Sequence, residues 1–224
     1  MKLPIILVSI TIFIFTLVLQ LWKPTVFQRF FGELSPVLLI MGSILITSVF
    51  LHKIKFDVWA KKSTGIKQSI SLAGIFGVTI ITFDCFIHFP IDINTPLPYS
   101  LLFYPVMGYF VQGVFQLLPL GILLIGLSPV KRNTENNNYI LLILMVSFIE
   151  AIYQAVSLCD RNQYSIHIII LVGLHVYLFV VVQLLLLKKY GYLAMFSFRM
   201  TYYVIWHIIW GSIRIFILFG SNFV

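Results

Sequence analysis

Long apolar runs separated by short polar turns organise this chain. Seven stretches, roughly 4–22, 36–52, 68–90, 99–127, 138–158, 164–187 and 197–219, are apolar enough to be membrane spans, since a bilayer core takes about 20 residues of helix. The pattern predicts an all-α polytopic bundle of about seven transmembrane helices, forming a single transmembrane domain over residues 1–224. The second stretch is short. The fourth is long and carries Pro105 and Pro119, which predicts a kinked or partly interfacial segment. The first run follows Lys2 and ends in "LQLWKPT" without a small-x-small cleavage pattern, so it is expected to stay as a span.

Composition agrees with the pattern. Charged residues make up 10% of the chain and the mean hydropathy is +1.03, whereas a soluble domain carries about 25% charge. An ordinary globular protein is excluded. The net charge of +8 lies between apolar runs, where it orients a membrane protein and gives no sign of nucleic-acid binding. Seven spans gather Lys2, Lys53, Lys55, Lys61, Lys62, Lys67, Lys131, Arg132, Lys188 and Lys189 on one side. The other side holds Lys23, Arg29, Arg161 and Arg214, with Arg199 set aside at a span entrance. The positive-inside rule then predicts an N-terminus inside and a multi-pass protein of the cytoplasmic membrane. Residues 53–67, basic with Phe56 and Trp59 interleaved, are expected to meet the anionic lipid leaflet. Cys85 and Cys159 have no CxxC spacing and are read as small buried residues.

Ionisable groups inside spans are costly, which makes each a candidate site residue. Glu150 is the thirteenth residue of the stretch 138–158, His175 the twelfth of 164–187 and His207 the eleventh of 197–219. All three fall near mid-depth on successive spans. Glu150 and His207 sit among polar residues at helical spacing (Ser147, Glu150, Gln154 and Ser157; Arg199, Tyr203, His207, Gly211 and Arg214), and the fourth stretch offers Gly108, Gln112 and Gln116. Positions three and four apart share a helix face. A shared inward site is therefore expected, with Glu150, His175 and His207 at its centre and Gln154, Tyr203, Arg199, Gly211, Gln112 and Gln116 around it. The first two spans lack such a stripe and are expected to be scaffold. Trp206 and Trp210 flank the last stripe and are expected against lipid or neighbouring helices.

The block "QLLLLKKYGYLAMFSFRMTYYVIWHIIWGSIRI" (183–215) resembles the closing helices of the CAAX-protease and bacteriocin-processing (CPBP) glutamic intramembrane proteases. That family carries in order an EExxxR motif, an FxxxH motif and a final HxxxN motif. Glu150 with Gln154, then His175, then His207 with Gly211 stand in those places here. The resemblance implies a glutamic intramembrane endopeptidase, in which a carboxylate activates water while histidines and an amide stabilise the oxyanion. Its substrate would be a peptide or prenylated peptide. The chain departs from the motifs: Ile149 stands at the first acid, Gln154 at the arginine, Leu171 at the phenylalanine and Gly211 at the last amide. A noncatalytic relative is therefore an equal expectation.

Other readings are open. Two histidines and a glutamate suit zinc or iron, but no two lie on one helix as in HExxH, so no metal or other cofactor is expected. Asp84 and His88 stand four apart and read as a local hydrogen-bonded pair. A haem between His175 and His207 is a remoter alternative. A transporter, or a structural subunit packed against membrane-protein partners, is the non-enzymatic reading.

Overall fold

The computed structural model describes residues 3–53, 63–89, 93–127, 136–159 and 164–219. Within an apolar solvent a backbone must satisfy its own N–H and C=O groups, which favours helices throughout. Helix α1 (Leu3–Trp22) is followed by the short α2 (Thr25–Phe31), α3 (Pro36–Lys53) and α4 (Ser63–Ile87). Next come α5 (Ser100–Val111), a π-helical segment π1 (Gln112–Leu117) and α6 (Leu118–Leu127), which together make one long rod. The chain continues through α7 (Asn136–Cys159), α8 (Ile166–Tyr190), α9 (Tyr192–Tyr203), a second π segment π2 (Val204–Trp210) and α10 (Gly211–Phe219).

Among the described residues, six helices are long and apolar enough to cross a membrane: Ile5–Trp22, Thr64–Ile87, Ser100–Gly126, Tyr139–Leu158, Ile166–Tyr190 and Tyr192–Leu218. Pro36–His52 is apolar but shorter. The chain is thus a helical, multi-pass membrane protein. The rod α5–π1–α6 and the last span α9–π2–α10 occupy the middle. The first packs on α1, α3 and α7, and the second on α4, α8 and α5.

Several sequence expectations change. Residues 188–196, read as a loop, are helix except at Gly191, because Gly191 takes φ +93° and turns the chain between α8 and α9 in a single residue. Arg199, placed at a span entrance, is in consequence eight residues into the last span and 1% exposed. The long fourth span contains Pro105 within α5 and departs from α geometry further on, at π1. The first spans are not featureless scaffold: Ser9 and Thr16 on α1 and Ser43 and Thr47 on α3 are all buried. Thr16 Oγ1 donates to Ile12 O at 2.8 Å, and Ser9 Oγ lies 3.0 Å from Tyr109 Oη. Cys85 sits on the exposed side of α4. Of the basic segment 53–67, residues 54–62 lie outside the described residues.

Apolar burial does not drive helices together in lipid, so close packing and polar bonds must. An aromatic cluster of Phe76, Phe179, Phe198 and Tyr202 joins α4, α8 and α9, with Phe179 and Phe198 centroids 4.7 Å apart. Short α2 is anchored by Phe27, fully buried, stacked on Phe31 and tilted against Phe103.

Candidate functional site

The centre of the bundle is a polar cluster drawn from four spans. Glu150 on α7 is 4% exposed and Arg199 on α9 is 1% exposed. Arg199 Nη2 donates to both carboxylate oxygens, at 2.9 and 2.8 Å, forming a buried ion pair. Gln116 Nε2, from π1, donates to Glu150 Oε2 at 2.7 Å and to Gln183 Oε1 at 2.8 Å. Gln183, on α8, also accepts from Arg199 Nη2 at 2.7 Å. Arg199 Nη1 donates to Tyr203 Oη at 3.1 Å. Two amides, Gln112 Nε2 and Gln183 Nε2, converge on the Met195 carbonyl at 3.2 and 3.4 Å. Gln112, Gln116 and Gln183 are all fully buried.

The local folding places these groups. A π turn holds one extra residue and is common where a protein keeps functional side chains; π1 carries Gln112 and Gln116, and π2 carries His207. The ring of Phe179 lies 5.3 Å under the Arg199 guanidinium and contributes a cation–π contact. The pair is neutral overall, which suits its depth: an unpaired charge there would be strongly unfavourable.

His207 has a different set of neighbours. Its Nδ1 lies 2.6 Å from Asn94 Oδ1, and its ring stacks on Tyr104 with centroids 4.3 Å apart. Tyr203 meets it edge-on at 5.0 Å. Gly211, one turn on, leaves the room that Asn94 fills, since a Cβ there would lie 2.9 Å from Asn94 Nδ2. His175 is 6% exposed and sits in an aromatic surround, with Phe76 at 5.3 Å, Phe83 at 5.8 Å and Tyr202 at 6.2 Å. Its Nε2 has no hydrogen-bond partner in the protein.

The hydrogen bonds of the described residues thus bring Gln116, Arg199 and Tyr203 to Glu150, with Gln112 one carbonyl away. They join neither His175 nor His207 to Glu150. Tyr203 is the link: bonded to Arg199 and in ring contact with His207. Gln154 is exposed on α7, because a step of four residues turns 40° past a full helical turn and carries it off the buried side. The flanking tryptophans are inside: Trp206 is 4% exposed and Trp210 9%.

A second ion pair closes the far end of the last span. Arg214 donates to Asp84 through Nε and Nη2, each at 2.6 Å, and to Phe89 O at 2.7 Å. Asp84 also accepts from Trp210 Nε1 at 2.7 Å and from Phe89 N at 2.9 Å. The Asp84 carboxylate therefore serves Arg214 and Trp210 on the last span, while His88 N bonds the Asp84 backbone carbonyl at 2.8 Å. Among the described residues, no group of three or more His, Cys, Asp or Glu is placed to hold a metal ion.

Sequence reasoning missed Gln183 and Asn94. The first is the lone amide in "VVVQLLLL", a legible signal; the second lies in the turn-rich stretch "NTPLP", where nothing marks it. Comparison of the chain with family models, curated proteins and solved structures returns no match.

Proposed function

We propose that the chain is a seven-span protein of the cytoplasmic membrane, N-terminus inside and of CPBP-like plan, that acts as a non-hydrolytic subunit packing against other membrane proteins. One observation carries the non-hydrolytic reading: both oxygens of Glu150 are engaged by Arg199, and one of them also by Gln116. A general base must reach a water or a substrate proton within hydrogen-bond distance. Here the carboxylate is spent on an ion pair, and Ile149 stands where the resemblance would put the first acid. Counting α3 as the seventh span is reasonable on length, since its 18 residues rise about 27 Å against a core of about 30 Å. That count gathers ten of the basic residues on the inner side, as the positive-inside rule requires. It also lays residues 53–67 on the anionic leaflet.

The endopeptidase reading keeps one specific observation in its favour. The amide missing at Gly211 is supplied in space by Asn94, against His207. Purified protein in proteoliposomes, offered quenched-fluorescent prenylated peptides and membrane-embedded peptides, separates the two. The proposal expects the same signal from wild type, Glu150→Gln and protein-free liposomes. Cleavage that disappears in Glu150→Gln would overturn it and restore the peptidase.

A further inference from the structure

The His207 cluster carries an inference that holds whether or not the chain hydrolyses anything. Tyr104 Oη accepts a hydrogen bond from Thr95 N at 2.8 Å and donates to Asn94 Oδ1 at 3.4 Å. The same Oδ1 lies 2.6 Å from His207 Nδ1. A carbonyl oxygen can only accept, so the nitrogen facing it must carry the proton. The amide nitrogen turns to the other side. Asn94 Nδ2 lies toward Gly211, in the room a Cβ would occupy, and it has no hydrogen-bond partner in the protein. The imidazole is further fixed by the Tyr104 ring stacked at 15° to it.

We infer that Asn94 is a positioning residue that holds neutral His207 as the Nδ1–H tautomer, leaving Nε2 as a hydrogen-bond acceptor inside the membrane. A group meeting Nε2 must then donate a hydrogen bond, as water or an amide N–H does. Gly211 belongs to the same device: its missing side chain admits the amide from the 93–99 segment, in place of one carried by the last helix itself.

Full-length protein labelled with 15N-histidine, in lipid nanodiscs at neutral pH, tests this by NMR. His207→Gln identifies the resonances of His207 among the five histidines. Two-bond couplings to the ring protons then tell which nitrogen is protonated. Wild type is expected to show Nδ1–H alone, and Asn94→Ala to shift the tautomer ratio by roughly tenfold, as loss of one hydrogen bond implies. Where Asn94→Ala does not yield folded protein, Gly211→Ala replaces it; it crowds the amide without removing it, and the same shift is expected. Protonated Nε2 in wild type, or an unchanged ratio in the variant, overturns the inference.

Discussion

Removing Arg199 while keeping Glu150 is the most informative perturbation of the polar core. In Arg199→Leu the carboxylate keeps the Gln116 amide but loses its counter-charge at 4% exposure. Breaking a buried ion pair from one side costs about 3–5 kcal/mol, whereas replacing both members by apolar side chains is often neutral or stabilising. Glu150→Leu strands the guanidinium in the same way, although Gln183 and Tyr203 still accept from it. The double variant Glu150→Leu/Arg199→Leu removes both charges and leaves Gln116 and Gln183 bonded to each other. Reversible unfolding in mixed micelles should show each single variant about 3–5 kcal/mol less stable, a fall in Tm of about 10 °C for a chain of this size. The double variant should lie within about 1 kcal/mol of wild type, giving a coupling energy of several kcal/mol. Additive losses in the double variant, or single variants as stable as wild type, would refute the argument that these charges exist for each other.

Three further outcomes follow from the same geometry. Asp84→Asn removes the buried carboxylate that Arg214 meets at 2.6 Å through Nε and Nη2 and should cost about 3–5 kcal/mol in the same unfolding assay. Trp210→Phe removes one hydrogen bond to that carboxylate and should cost about 1.5–3 kcal/mol, the range for a bond to a charged group. Gly191→Ala forces a Cβ into the left-handed region at φ +93°; a loss of about 1–3 kcal/mol is expected, and the α8–α9 turn should become the first site of proteolytic nicking.

The helical, membrane-spanning plan was legible because long apolar runs have few alternatives in lipid. The inward stripe of the last span was legible too: Arg199, Tyr203, His207 and Arg214 follow helical spacing and each meets a polar or aromatic partner inside the bundle. Partner choice was not legible. Glu150 and Arg199 are 49 residues apart, and Asp84 and Arg214 are 130 apart, so only the packing of α4 and α7 against the last span reveals which charges meet. Depth alone suggested that Glu150, His175 and His207 belong together. Depth says nothing about rotation around a helix axis, however, and that rotation sends His175 into an aromatic surround and Gln154 to the exposed side. Asn94 was invisible because loop residues have no period to mark which of them turns inward. Arg199 was misplaced by a loop prediction that a single glycine contradicts.

The reading of Glu150 as a packed charge, with no role as a base, meets its most direct test in cells. A deletion strain with a measurable phenotype is complemented with Glu150→Leu, with Arg199→Leu and with the double variant, at matched membrane levels. A packed ion pair predicts failure of each single variant and rescue by Glu150→Leu/Arg199→Leu. A catalytic Glu150 predicts that the double variant fails as completely as Glu150→Leu alone, and that result would contradict the proposal.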